Sequence, residues 1–264
     1  TLAYLSGHTT RPATQMDVRR QAAAGLLRER GIPDDAYQAF WNTLDIGYFL
    51  RHDPQDLAWH TEMLHAHADE RRTSVHTRAS GVGDGIEFLI FTMDKPALFA
   101  RICRFFDQQR LSILEARVHT TRHGMALDSF EVMTTDQRRL PPEQLTRLEA
   151  ELTRLLDAPL DPGQLKPAGP SRLSRRSRAF PLPPRIDLRP DEAGQRYLLS
   201  ITATDRPRLL YDLARILANN AVELFGARIA TLGERAEDSF TIGSDNLHTE
   251  AERLKLEKEL LEIL

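Results

Sequence analysis

The sequence contains the same segment twice. The stretch IFTMDKPALFARICRFF begins at Ile90, and the stretch ITATDRPRLLYDLARIL begins at Ile201. Asp94 aligns with Asp205 at an offset of 111 residues (205 − 94), and the Pro and Leu that follow each Asp align at the same offset. A repeat of this length indicates a duplicated structural unit. Small repeated αβ units without a catalytic cluster are typical of proteins that sense or bind.

The alignment continues downstream of these segments. Ala116-Arg117-Val118 aligns with Ala227-Arg228-Ile229, and Asp128-Ser129-Phe130 aligns with Asp238-Ser239-Phe240. The second of these pairs has an offset of 110 residues (238 − 128), so one residue is lost between the two blocks. The repeat therefore extends over a whole folding unit.

Composition narrows the classes of protein to which the chain can belong. Its 264 residues are 41% hydrophobic and 28% charged, which is ordinary for a soluble globular protein. A formal net charge of −3 gives no reason to expect nucleic-acid binding. The single cysteine, Cys103, excludes a disulfide framework within the chain, and we expect it to be a buried structural thiol.

The sequence also predicts where the protein is found. No apolar run approaches the roughly 18 residues that a membrane span needs, and no signal peptide is visible. We therefore expect a cytoplasmic protein with no membrane partner. The chain begins with Thr1 rather than Met, and we expect it to be a fragment of a longer protein.

Hydrophobic periodicity predicts the same element order in both copies. Helices are predicted over residues 14–70, which precede the repeat. In the first copy, strands are predicted at 73–78, 87–93, 112–121 and 125–133, with helices from Leu98 and around Leu145. In the second copy, strands are predicted at 185–189, 196–203, 222–231 and 238–243, with helices at 209–217 and 249–264.

Each copy is therefore predicted to be a β-βαββα unit in an α+β fold. A ferredoxin-like βαββαβ unit needs a fourth strand, and the chain ends on a helix. We expect the leading strand of each copy to take that place, so that residues 74–78 pair with residues 87–93. The predicted boundaries are a helical connector at 1–72, a first unit at 73–157, a linker at 158–183 and a second unit at 184–264.

The repeated Asp-x-Pro motif lies at a predicted strand-to-helix turn in each copy. Asp94 and Asp205 are expected to cap free amides, and Pro96 and Pro207 to occupy the first helical turn. First-turn amides and the helix dipole favour a carboxylate, and a nearby acidic side chain favours an ammonium group. The alternative is that Asp-x-Pro only starts a helix.

Other polar residues are given structural interpretations. We expect Asp128 and Asp238 to accept turn amides, and Phe130 and Phe240 to lie in the core. The histidines of the segment WHTEMLHAH are spaced by five and two residues, which does not place three metal ligands on one helix face. We expect them to be solvated and, in part, to cap the helix. These histidines are His60, His65 and His67.

A basic run crosses the predicted linker and enters the second copy. A solvated linker is the default interpretation, and docking on an acidic partner is the alternative. The run consists of Lys166, Arg172, Arg175, Arg176, Arg178 and Arg185. No phosphate-binding glycine loop and no nucleophile–base set is visible, so we expect no catalytic activity from this chain.

The repeated Asp-[Lys/Arg]-Pro-x-Leu pattern, with Ala-Arg-[Val/Ile]-x-Thr and Asp-Ser-Phe, resembles the ACT domain family of ferredoxin-like regulatory modules. The segments Tyr48–His60, Arg117–Thr121 and Thr231–Arg235 resemble the C-terminal third of the bacterial PII uridylyltransferase/uridylyl-removing enzymes. The resemblance covers residues 37–264. It implies tandem ACT domains that sense glutamine and regulate uridylylation of the PII signal protein. It also implies Mg²⁺ and UTP for the parent enzyme, and no cofactor for this chain.

By this resemblance, ligands contact the turn after the first strand and the facing second strand. The implied ligand-binding residues are Asp94, Lys95, Pro96, Ala97 and Val118 in the first copy, and Asp205, Arg206, Pro207, Arg208 and Ile229 in the second. The family often has Gly after the Pro, where this chain has Ala97 and Arg208. Arg208 either fills the second pocket or offers its guanidinium to a ligand carboxylate. We therefore favour the first site, or a site shared between the units, over the second site alone.

An alternative function is an interaction scaffold that docks PII or self-associates through sheet edges without a small ligand. Homo-oligomerisation remains open on either interpretation.

Overall fold

The structure is a computed structural model that describes residues 12–67, 70–81, 84–160, 182–191, 196–232 and 235–264. It divides into two compact units. One is helical and comprises residues up to Arg72 together with Thr121–His123, and the other comprises Thr73–Thr120 and Gly124–Leu264. Apart from Thr121–His123, both copies of the sequence repeat therefore lie in the second unit.

The first unit consists of short helices. They are α1 (Pro12–Glu29), α2 (Asp34–Asn42), α3 (Ile46–Arg51) and α4 (Pro54–Leu64), followed by a 3₁₀ turn at His65–His67. Gly31, with φ of 79°, ends the first helix in the left-handed region that favours glycine. The Asp53 carboxylate accepts the Asp56 N–H at 2.9 Å and caps α4. The helices predicted over this segment are confirmed.

Buried hydrogen bonds connect the helices of this unit. The Trp41 Nε1–H donates to Thr61 Oγ1 at 2.8 Å, and the Tyr48 hydroxyl and His60 Nδ1 share a hydrogen bond of 2.6 Å. His60 is buried, so the prediction that it is solvated is wrong. The Tyr48 hydroxyl bonds the imidazole and makes its burial possible. Within the described ranges, no three His, Cys, Asp or Glu side chains are grouped to hold a metal ion.

The second unit is built on one eight-stranded antiparallel sheet with the order β1-β2-β4-β3-β7-β8-β6-β5. The strands are β1 (Ser74–Ala79), β2 (Ile86–Met93), β3 (Leu111–Arg117), β4 (Met125–Thr134), β5 (Arg185–Pro190), β6 (Tyr197–Thr204), β7 (Glu223–Leu232) and β8 (Arg235–Gly243). Its helices are α5 (Leu98–Gln108), α6 (Pro142–Asp157), α7 (Leu209–Asn219) and α8 (Glu250–Leu261). This is the predicted pair of β-βαββα units preceded by helices.

The leading strand of each copy takes the predicted fourth-strand position. Strand β1 pairs antiparallel with β2, with Val75 opposite Ile90. Strand β5 pairs antiparallel with β6, with Ile186 opposite Ile201. Because both residues of the second pair lie 111 positions after those of the first, the two copies share one register. The permuted arrangement is confirmed.

The two copies join at the middle of the sheet through β3 and β7. Ala116 lies opposite Ile229, and Arg117 lies opposite Arg228. Arg117 and Arg228 are equivalent positions of the repeat, so a local two-fold axis passes between them. A rotation of about 180° around this axis therefore exchanges β3 of the first copy with β7 of the second.

One hydrophobic core serves both copies. Phe88, Phe106 and Phe130 lie at its centre with no exposed surface. The Phe99 ring contacts Phe240 of the other copy, with centroids 6.4 Å apart. Burial of apolar side chains at roughly 25 cal/mol per Å², aromatic and aliphatic alike, stabilises the packing of the helices on the sheet. The predicted core positions Phe130 and Phe240 are confirmed.

Strand β3 is shorter than predicted. It ends at Arg117, whereas the sequence pattern extends to residue 121. The His119 N–H donates to the Asp128 carboxylate at 3.2 Å. Because this amide bonds a side chain and not a backbone carbonyl, the regular hydrogen bonding between β3 and β4 does not continue past Arg117. Thr120 makes only an isolated bridge with Ala126.

Part of the predicted linker lies outside the described residues. This covers every member of the basic run except Arg185, which opens β5. The domain boundaries at 72, 157 and 183 remain predictions. No helix of the described ranges is long and apolar enough to cross a membrane.

Candidate functional site

The turn between β2 and α5 differs from the predicted cap. Helix α5 begins at Leu98, and Ala97 occupies the N-cap position with φ of 62° and no side-chain cap. The Leu98 N–H donates to the Lys95 C=O at 3.1 Å. The expectation that Asp94 caps the helix and Pro96 lies in its first turn is therefore wrong. Asp94 and Pro96 instead form a tight turn ahead of the helix.

The second copy repeats this turn. Helix α7 begins at Leu209, whose N–H donates to the Arg206 C=O at 3.1 Å. Arg208 is the N-cap residue, with φ of 70°. Asp205 and Pro207 lie ahead of the helix, so the capping prediction is wrong here too. Both turns need a left-handed residue after the Pro, which explains why Gly suits the position.

The first copy has two carboxylates near this turn, Asp94 in the turn itself and Asp128 in β4. The Thr120 hydroxyl donates to Asp94 Oδ2 at 2.9 Å, and burial raises the pKa of Asp94 above its ordinary range. Asp128 is buried in β4 and accepts the His119 N–H, close to the predicted bond to a turn amide. The two carboxylates line one cleft.

The carboxylates of the second copy are less well paired. Burial, and then the charge of Asp205, raise the pKa of Asp238 to about 7, against the effect of the Ala230 amide. Burial also raises the pKa of Asp205, against the Arg206 amide. Asp238 is only 3% exposed, and its Oδ1 has no hydrogen-bond partner among the described residues.

We call the space at the Asp94 turn the first cleft. Its volume is about 500 Å³. All five predicted residues of the first copy line it: Asp94, Lys95, Pro96, Ala97 and Val118. The opposite wall comes from α7, β7 and the turn between them in the second copy, and includes Ala214, Leu217, Ala218, Ala221, Glu223 and Phe225.

We call the space at the Asp205 turn the second cleft. Its volume is about 690 Å³. All five predicted residues of the second copy line it: Asp205, Arg206, Pro207, Arg208 and Ile229. The opposite wall comes from α5, β3 and the turn between them in the first copy, and includes Asp107, Gln108, Arg110, Ser112 and Ile113.

The structure thus brings the ten predicted residues together in two clefts, each shared between the copies. A site shared between the units was one of the predicted arrangements, but the individual wall residues that the other copy contributes were not predicted. Local motifs do not reveal them, because they depend on the pairing of β3 with β7. The only signal for them in the sequence is the duplication itself. Ligand binding at these residues remains a prediction.

An ion pair crosses the second cleft. Arg208 Nε lies 3.0 Å from Asp107 Oδ2, so α7 of one copy is linked to α5 of the other. The equivalent positions in the first cleft are Ala97 and Ala218, which carry no charge. The sequence left open whether Arg208 fills the pocket or points to a ligand, and in the structure it binds Asp107.

Cys103 lines the second cleft and is buried, as predicted. Burial, followed by the charges of Asp238 and Asp128, raises the pKa of its thiol well above the ordinary value. A thiol held neutral in this way is a poor nucleophile. Cys103 therefore acts as a packing residue.

Taken together, each cleft offers three kinds of group. The first turn of the helix presents backbone amides, which favour a carboxylate. The buried carboxyl group of Asp128 in the first cleft and that of Asp238 in the second favour a cation. The wall contributed by the other copy can contact the side chain of a bound ligand and so determine which ligand fits. This combination suits a small zwitterion such as an amino acid.

Comparisons with known proteins give a consistent assignment. Residues 11–63 match the family model described as "Uridylyltransferase GlnD fifth domain". The chain is 45% identical over 262 residues to the "Bifunctional uridylyltransferase/uridylyl-removing enzyme" of Burkholderia orbicola (strain MC0-3), covering 99% of this chain and 30% of that protein. The Burkholderia lata protein of the same name is 43% identical over 261 residues, with the same coverage. The chain thus spans just under a third of the length of these curated relatives.

Proposed function

The chain is similar, over 99% of its length, to the C-terminal part of bifunctional uridylyltransferase/uridylyl-removing enzymes, and from this premise we propose that it is the glutamine-sensing regulatory region of such an enzyme. The observation that carries the proposal is the doubled Asp-x-Pro turn, which opens into a cleft between the two copies. A cleft with this set of polar groups suits an amino-acid effector.

The first cleft suits glutamine in particular. Its ammonium group would lie toward the carboxylates of Asp94 and Asp128, and its α-carboxylate at the first-turn amides of α5. The side-chain amide would donate to Glu223 on the opposite wall. Glu223 would also repel an acidic side chain, so the cleft would prefer glutamine to glutamate.

Ligand binding between the copies supplies a route to regulation. A ligand that contacts α5 of one copy and β7 of the other has a higher affinity for one relative arrangement of the copies than for another. It then shifts the population toward that placement. In the parent enzyme, this shift would bias the choice between adding uridylyl groups to PII and removing them. Mg²⁺ and UTP would serve the parent's catalytic chemistry.

The test is glutamine binding to the 264-residue chain by calorimetry and thermal unfolding. L-Glutamine at one hundred times its Kd is expected to stabilise the chain by about 2.7 kcal/mol. Asp94→Asn is expected to weaken binding, and Asp187→Asn on edge strand β5 is the matched control that should not. No response of the native chain to millimolar glutamine would refute the proposal.

A second function is favoured by one observation. Strand β5 is an edge of the sheet, and four of its six residues are exposed. An exposed edge is a template for pairing with another strand, so it offers a place for PII docking or self-association. Size-exclusion chromatography and PII capture, with and without glutamine, separate this function from amino-acid sensing.

A further inference from the structure

At three equivalent positions, the second cleft has a charged residue where the first cleft has alanine. Asp107, Arg110 and Arg208 line the second cleft, and the residues at the same places in the first cleft are Ala218, Ala221 and Ala97. The duplication has therefore kept the turn and changed the wall that selects the ligand. A difference in three charges implies a difference in ligand.

The charges of the second cleft include positive groups that are available to a ligand. Arg206 is already used, since it pairs with Asp212 at 2.9 Å and donates to the Ile263 C=O at 2.8 Å. Arg110 is exposed, and its guanidinium has no ion-pair partner within the described ranges. Arg208 has Asp107 as its partner, at a partly exposed site where a competing carboxylate can replace it.

The same cleft also holds two carboxyl groups that form no ion pair within the described ranges. Asp205 and Asp238 line it. Asp238 is 97% buried, and its Oδ1 accepts no hydrogen bond from the described residues. A buried carboxyl oxygen without a partner is costly, and an ammonium group that donates to it removes the cost.

From this arrangement we propose that the second cleft is a separate effector site for an acidic amino acid. The ammonium group binds between Asp205 and Asp238, and the α-carboxylate binds at the first turn of α7. The side-chain carboxylate takes Arg208 from Asp107 and pairs with Arg110. A ligand without an ammonium group would leave Asp238 without a partner, and a ligand with a neutral side chain would leave Arg110 without one. Both kinds of ligand should therefore bind more weakly than an acidic amino acid.

This inference does not require that glutamine binds in the first cleft. It adds a different ligand class to the second cleft, so that one chain would respond to an amide and to its acid. The two clefts can be tested separately because their variants do not overlap.

The experiment is calorimetric titration of the 264-residue chain with L-glutamate, L-glutamine and 2-oxoglutarate. We expect L-glutamate to bind, and Arg208→Gln and Arg110→Gln each to weaken it roughly tenfold or more through loss of a charge-assisted bond. Asp107→Asn should tighten it several-fold, because the internal competitor for Arg208 is weakened. A gain in affinity is not a consequence of misfolding, so this variant keeps the test decisive.

Two controls locate the site. Arg189→Gln, which removes an exposed charge on β5, should leave glutamate binding unchanged, and Asp94→Asn should weaken glutamine without affecting glutamate. The proposal is overturned if L-glutamate does not bind at millimolar concentration, if Asp94→Asn abolishes its binding, or if Asp107→Asn weakens it. Binding of 2-oxoglutarate as tight as that of L-glutamate would overturn the role of the ammonium group.

Discussion

Arg117 and Arg228 lie opposite each other where the two copies meet. They are equivalent residues of the repeat, on β3 and β7, and the antiparallel pairing places them in direct register. Glu115 lies 2.8 Å from Arg117 and compensates part of its charge. Arg228 is exposed. Like charges directly opposite on neighbouring strands are destabilising, so the joint between the copies is held by packing despite its charges.

Replacing one of these arginines by an acid is expected to stabilise the chain. Arg228→Glu turns a repulsive cross-strand pair into an attractive one and should raise the free energy of unfolding by roughly 0.5 kcal/mol. Urea unfolding at low ionic strength measures the gain, which should shrink in about 1 M salt. Arg189→Glu on edge strand β5 makes the same charge change without an opposing arginine. A gain as large as that of Arg228→Glu would contradict the explanation.

The left-handed turn residue predicts a second effect on stability. Ala97 has φ of 62°, which costs a residue with a Cβ roughly 1–2 kcal/mol. Ala97→Gly relieves this cost but adds freedom to the unfolded chain, so a net gain of roughly 0.5 kcal/mol is expected. Ala100→Gly, inside α5, is the control and should destabilise by about 1 kcal/mol. Thermal unfolding that shows the same loss for both variants would refute the strain.

Asp238 predicts a particular pH dependence of stability. Its pKa in the folded chain is about 7, raised by burial and by Asp205. Between its ordinary pKa and about 7, the folded state holds a proton that the unfolded state has released, so stability falls as pH rises through this window. Asp238→Asn should remove this slope and stabilise the chain at pH 8 by on the order of 2 kcal/mol.

Urea unfolding of the native chain and of Asp238→Asn at several pH values checks this prediction. The difference between the two should be small near pH 4 and grow toward pH 8. Asp187→Asn, which removes an exposed carboxylate, should show no such trend. A difference that does not change with pH would mean that Asp238 is charged throughout.

In the helical unit, we expect the loss of the Thr61 hydroxyl to lower the free energy of unfolding. Thr61 Oγ1 accepts the Trp41 Nε1–H at 2.8 Å, and Thr61→Val keeps the shape but leaves this donor unpaired. The expected loss is roughly 1–3 kcal/mol. Thr146→Val removes an exposed hydroxyl from α6 and should cost far less. Tryptophan fluorescence during urea unfolding reports the change.

The sequence predicted the strand order within each copy because the evidence for it is local. The offset that joins Val75 to Ile186 shows that the leading strand belongs to the repeat, and alternation shows which strands are half-buried. The structure confirms the register on both sides. The pairing between copies was not predicted, because nothing near Ala116 indicates that Ile229 lies opposite it.

The errors have physical causes. The left-handed conformation of Ala97 has no signal in the sequence, since the residue that usually marks it is Gly. The solvated interpretation of His60 was wrong because its partner, Tyr48, lies twelve positions earlier on another helix. The ten candidate residues were found from the turn motif and the family resemblance. Asp107 and Arg110 were missed because they belong to the other copy.

The joint between β3 and β7 also bears on how the two clefts diverged. If two identical chains met through this joint, the symmetric interface would be the same patch used twice, and each substitution would appear in both clefts. Here both halves belong to one polypeptide, so association does not depend on protein concentration. The second cleft could therefore acquire Arg208 and Asp107 while the first kept Ala97 and Ala218. In a symmetric dimer of identical chains, both clefts would have the same residues.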